Sequence, residues 1–166
     1  MISEAQRNCL EDCYVGAKKS GHIWPEMAAC EAMEESAWGT TKLYVQGHNV
    51  FGEKQRVQDP LEYSTLILPT WEVVRGLRQN ILAAFVQYPS FQACFADRMA
   101  TLRRLAPEYP DYAAALAATS AEEFVTCVSR TWSTDPNRAK NVIEIYNAHK
   151  DLFPVFEASS TQQVSA

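Results

Sequence analysis

Apolar residues first recur at helical intervals over Cys9, Leu10, Cys13, Tyr14 and Ala17, which share one face of a helix. Ser3 followed by Gln6 forms a capping-box signal, and Gly21 a stop. The pattern therefore predicts a helix over about Glu4–Lys19. Pro25 suits the first turn of a second helix, which carries Met27, Ala28, Cys30, Ala32 and Met33 and ends near Ser36. Gly39 breaks that pattern, and a short helical turn over Thr40–Gln46 follows. From Val50 to Tyr88 the character changes. "STLILPTWEVVRG" and "RQNILAAFVQY" are rich in β-branched and aromatic residues with Gly76 between them, which predicts an antiparallel hairpin with Pro69 at a bulge or edge. Helical spacing returns over about Phe91–Leu105, Tyr109–Ala118, Ala121–Trp132 and Pro136–Leu152. Ser120, with Glu123, and Asp135, before Pro136, stand as caps. The polar, small-residue end from Glu157 is predicted to fray. Helices flanking a small hairpin place the chain in the α+β class.

Composition narrows the picture. The 166 residues suffice for one domain with a core, read as residues 1–156 with a flexible tail over 157–166. Hydrophobic residues make up 47% and charged residues 21%, an ordinary globular balance. With a net charge of -5 and no basic stripe, nucleic acid is a poor partner. No apolar run reaches bilayer length, so membrane insertion is not expected. The start, "MISEAQRNCLEDC", lacks the basic-then-apolar order of a secretory signal. The five cysteines, Cys9, Cys13, Cys30, Cys94 and Cys127, follow no zinc spacing and read as small buried residues. Neither a metal nor a cofactor is expected.

Glu34 and Glu35 stand next to each other at the end of the second helix. Ala28, Glu31, Ala32 and Glu35 fall on one side of it, while Glu34 lies about a hundred degrees round. A carboxyl held against apolar neighbours such as Trp38 keeps its proton and can give it to a leaving oxygen. The alternative is a solvated helix end.

"EESAWGTTKLYVQGHNVFGEK" resembles the glucosaminidase family of peptidoglycan hydrolases, glycoside hydrolase family 73, which includes autolysins and flagellar muramidase-like domains. The matching residues are Glu35-Ser36-Ala37-Trp38-Gly39-Thr40, then Asn49-Val50-Phe51-Gly52 with Lys54 beyond. "TDPNRAKNVIEIY" from Thr134 and the hairpin segment extend the likeness to about Ala5–Leu152. The resemblance implies a lysozyme-like fold, mainly helical with a small hairpin lobe, and a groove between lobe and body. It implies hydrolysis of the β-1,4 bond after N-acetylglucosamine in peptidoglycan glycan strands, by a monomer acting at the cell wall. Release without a visible signal suits a phage-type endolysin or a protein kept inside the cell until lysis. Glu35 is then the general acid and Glu72 the second carboxylate, with Asp59 and Glu62 as rivals. Trp38, His48, Asn49, Trp132 and Arg138 are expected along the glycan, Asn49 also holding the turn. Arg138 replaces a common family Tyr. A lytic transglycosylase, a muramidase and a wall-binding module without turnover remain the competing readings.

Overall fold

Caps decide where the helices of this chain start. The computed structural model describes residues 2–56 and 63–162, without the side chains of 72–74 and 160–162. Helix α1 spans Glu4–Lys19, with Ser3 and Gln6 closing the capping box. Helix α2 spans Pro25–Glu35 and opens on its proline. Helix α3, Lys42–Gly47, is capped by Thr41, whose hydroxyl accepts from the Tyr44 N–H. Strands β1, Ser64–Val74, and β2, Leu77–Gln87, pair antiparallel. Arg75 and Gly76 join them, both at positive φ as a two-residue hairpin turn of this twist requires. Pro69 stays in register opposite Leu82, with no bulge, in a two-stranded sheet whose strands are both edges. Helices α4, Phe91–Leu105, and α6, Ala121–Trp132, match their predicted bounds. Between them lies α5, Pro110–Leu116.

Two expectations need correction. Helix α7 runs only over Arg138–His149, followed by a 3-10 turn, Lys150–Leu152. Asp135 does not cap it from the helix end. Its carboxylate accepts the Asn137 N–H and holds the turn before the helix. The described part of the stretch expected to fray, residues 157–162, is helical: α8 spans Phe153–Gln162. Phe153 and Phe156 are buried against Tyr14, and the Glu157 carboxylate accepts from the Tyr14 hydroxyl and pairs with Lys18. Two aromatic anchors outweigh the polar composition of that stretch.

The helical body packs α1 on α2 and α4, α2 on α7, and α5 on α6, with α8 returning to α1. Leu10, Met27, Met33, Phe95, Leu102, Phe124 and Val128 are fully buried. The five cysteines are free and buried, as expected. The hairpin meets the body at its base, where Phe85, Val86 and Tyr88 are buried. Farther out, Trp71, Leu77 and Leu82 stand in solvent.

The core also encloses charge. Glu31 of α2 is fully buried, and its Oε1 accepts from Arg98 Nη2 of α4 at 3.2 Å and from Arg138 Nη2 of α7 at 2.9 Å. Burial pushes the Glu31 carboxyl up, but the Arg138 and Arg98 guanidiniums outweigh it and hold it below the usual carboxylate range. Arg98 lies between two rings, 4.5 Å from the Phe51 centroid and 3.3 Å from that of Trp132. Nearby His22 accepts the Trp24 N–H on Nδ1 and meets Phe95 and Phe124 edge-on.

Glu31→Leu strands two buried guanidiniums and should lower stability by about 3–5 kcal/mol in urea unfolding. Breaking the exposed Lys140–Glu144 pair should leave the midpoint unchanged. His22 gives a pH signature. Burial, reinforced by Arg98 and Arg103 and opposed by Glu31, pushes its imidazole down to about 4 from 6.5. The unfolded chain takes up this proton at higher pH than the folded one. The His22 contribution is therefore complete above pH 6.5 and is lost as pH falls towards 4, by about 3 kcal/mol. Urea titrations at a series of pH values should show this loss in the wild type and a flatter course in His22→Gln.

Candidate active site

Glu35 is the last residue of α2, and the backbone beyond it is strained. Ala37, Trp38 and Gly39 all have positive φ, at 49°, 58° and 77°. Two non-glycine residues in this region cost on the order of 1 kcal/mol each or more. The turn is held by hydrogen bonds from Trp38 N–H to the Met33 carbonyl at 2.9 Å and from Gly39 N–H to the buried Ser36 hydroxyl at 2.9 Å. Position 39 accepts only glycine, because a Cβ there would stand 2.5 Å from Cys9 Sγ.

The environment of Glu35 differs from the apolar shelter expected of it. Its Oε1 accepts from Arg138 Nε at 2.7 Å, and its side chain is 26% exposed. Beside it, Glu34 accepts from Asn141 Nδ2 at 2.9 Å. The two adjacent carboxylates thus grip α7 at positions one turn apart. The predicted sharing of a face by Glu31 and Glu35 holds, since both reach the same guanidinium. Arg138 itself is 2% exposed, and its third nitrogen, Nη1, donates to Ser129 Oγ at 2.9 Å. Arg138 is therefore no glycan-lining residue, because all three of its nitrogens are committed inside the protein.

Asn49 is corrected in the same way. It is buried, its Nδ2 donates to the carbonyls of Glu53 at 2.8 Å and Val86 at 2.9 Å, and its Oδ1 accepts the Glu53 N–H at 3.0 Å. No donor is left for a sugar, and the residue ties the turn to β2. Phe51 from the same motif packs under Arg98 and edge-on to Trp132. His48 closes α3 at φ 46°. Its ring meets Phe91 edge-on, and its Nδ1 lies 3.1 Å from the Tyr88 carbonyl. Its partly exposed side lines a hollow with Gln46, Tyr63 and Gln87. Trp38 is half-buried, with its indole edge-on to His149.

Trp132 is half-buried over Arg98 and borders a depression of about 690 Å³ with Ser129, Ser133, Thr134 and Asp135. Ser129 joins that depression to the Arg138–Glu35 pair. Glu72 lies in β1 opposite Gln79, and its side chain is outside the described residues, as are Asp59 and Glu62. Among the described residues no three His, Cys, Asp or Glu side chains group to hold a metal ion.

Sequence reasoning passed over Arg98 and Glu53. Arg98 had a readable signal, an arginine inside the apolar stripe Phe95, Met99 and Leu102. Glu53 follows Gly52 and is mostly buried, with one oxygen unpartnered among the described residues. Burial pushes its carboxyl up against the pull of Arg98 and Arg56.

Comparison with known proteins places this geometry. The model of the glucosaminidase family, described as mannosyl-glycoprotein endo-beta-N-acetylglucosaminidase, matches residues 11–151. The exo-glucosaminidase LytG of Bacillus subtilis is 27% identical over 126 residues, which cover 75% of this chain and 43% of that protein. The chain thus spans less than half the length of that relative. The catalytic domain of the Listeria monocytogenes autolysin Auto superposes with a TM-score of 0.73 at 20% identity, covering 90% of this chain and 87% of that one. A glycoside hydrolase domain of Salmonella typhimurium FlgJ gives 0.67 at 23% identity, covering 88% and 98%. The structural neighbours establish the lysozyme-like α+β fold. With the family model matching most of its length, the chain belongs to the glucosaminidase family.

Proposed function

We propose that this chain hydrolyses the β-1,4 bond following N-acetylglucosamine in peptidoglycan, as a monomer at the bacterial cell wall, with Glu35 as general acid. The observation that carries the reading is the placement of Glu35. Within the matched family region, it ends a buried helix on a strained turn, with part of its carboxyl open to solvent. Strain of this kind concentrates at functional sites. The LytG relative bears the name of a glucosaminidase, which favours cleavage after N-acetylglucosamine over a muramidase specificity.

Glu72 is the proposed second carboxylate, serving as base or nucleophile from the hairpin. Trp132, bordering the depression beside Ser129, is the proposed aromatic surface for a sugar ring. Trp38 and His48 are proposed to flank the glycan.

Digestion of purified peptidoglycan, with mass analysis of the products, should release reducing N-acetylglucosamine ends. Glu35→Gln should lower the rate by at least about 100-fold, the scale of a lost general acid. Reducing N-acetylmuramic ends would turn the assignment to a muramidase, and anhydro ends to a lytic transglycosylase. A fully active Glu35→Gln protein would remove Glu35 from the chemistry.

A further inference from the structure

We propose that Arg138 is the positioning residue of the Glu35 carboxyl: it holds Oε1 so that Oε2 is the oxygen that carries and delivers the proton. The proposal rests on the reading of Glu35 as general acid. Arg138 Nε donates to Glu35 Oε1 at 2.7 Å, Nη2 to Glu31 Oε1 at 2.9 Å and Nη1 to Ser129 Oγ at 2.9 Å. Each nitrogen has its own partner, on α2 or α6, and the guanidinium is a rigid planar fork that does not lose its charge in proteins. At 2% exposure it has no room to follow a ligand. Glu35 Oε2 has no hydrogen-bond partner among the described residues, and the side chain is 26% exposed. One carboxyl oxygen is thus anchored inward and the other left for the glycan.

A protonated carboxyl has one O–H donor and one carbonyl acceptor, so Oε1 can stay on Arg138 while Oε2 bears the hydrogen. In the reaction, the Oε2 proton passes to the glycosidic oxygen as its bond to the anomeric carbon breaks, and the bonding pair leaves with that oxygen. The anomeric carbon then takes the hydroxyl of a water molecule, whose other proton goes to a carboxylate of the site. As its own proton leaves, Glu35 gains a full negative charge, which the fixed guanidinium meets without any rearrangement. The charged and titratable groups around this pair are Glu31 and Glu34 of α2, Arg98 of α4, Tyr112 of α5 and Glu53 of the loop before β1. Among the described residues Arg138 alone bonds to Glu35.

The test measures release of reducing ends from peptidoglycan across pH, with melting followed in parallel, for Arg138→Lys and Arg138→Gln. Arg138→Lys keeps the charge but lacks the fork. Its kcat should fall about 100-fold, the scale of a misplaced catalytic group, with KM changed little. Arg138→Gln also removes the cation, so the alkaline limb of its rate profile should move to higher pH. A folded variant with wild-type kcat and limb would show that Arg138 serves stability alone and overturn the proposal. Because both variants disturb Glu31, a further measurement leaves Arg138 intact. The Arg138 Nε–H resonance should exchange slowly with solvent in the wild type, lose that protection in Glu35→Gln, and keep it when a chitooligosaccharide is added. Free exchange in the wild type, or loss on adding the sugar, would overturn the proposal. An active Glu35→Gln protein would instead overturn the functional reading on which it rests.

Discussion

The carboxylate of Glu31, shared between two buried guanidiniums, joins the Glu35 end of this domain to its core. A buried ion cluster is costly to assemble, and removing one member costs more, because the remaining charges stay buried. Here each member also belongs to a different helix: Glu31 to α2, Arg98 to α4 and Arg138 to α7. The contacts of Glu31 with Arg98 and Arg138 tie the three helices together. That arrangement brings Arg138 Nε to the end of α2, where Glu35 waits. The same geometry that neutralises a core charge therefore orients a surface one.

The cluster extends sideways through its rings. Arg98 is covered by Phe51 on one side and Trp132 on another, so the loop after Asn49 and the end of α6 meet over one cation. Asn49 closes that loop on Glu53 through two hydrogen bonds and fastens it to β2 through a third, to the Val86 carbonyl. The residues that looked like a binding motif along the chain thus form a scaffold in space. They connect the helical body, the helix end bearing Glu35 and the base of the hairpin. The strained turn over Ala37, Trp38 and Gly39 is held by its hydrogen bonds back to the end of α2, at Met33 and Ser36.

Much of this was legible in the sequence. The capping box at Ser3, the proline opening α2, the β-branched hairpin and the bounds of α4 and α6 follow from local rules that tertiary contacts here reinforce. The place of Glu35 at the end of α2 was legible. Its surroundings were not, because the partner that matters lies more than a hundred positions later, at Arg138. Nothing local distinguishes an arginine that lines a groove from one that anchors a carboxylate from beneath. Asn49 was expected both along the glycan and as the holder of the turn; its hydrogen bonds to Glu53 and to Val86 of β2 bear out the second role. The helical tail was missed because Phe153 and Phe156 act through the distant Tyr14 rather than through their polar neighbours.

The two proposed carboxylates are held in opposite ways. Glu35 stands on a body whose charges, rings and strained turn all determine its position. Glu72 stands on the outer half of a two-stranded hairpin that, among the described residues, is buried at its base. The distance between two catalytic carboxylates decides whether one acts as nucleophile or as base towards water. In this architecture that distance depends on how the hairpin leaves the body at Phe85, Val86 and Tyr88. The stereochemical outcome of the proposed reaction therefore depends on packing at the hairpin base, while the aim of the proposed acid depends on the buried cluster.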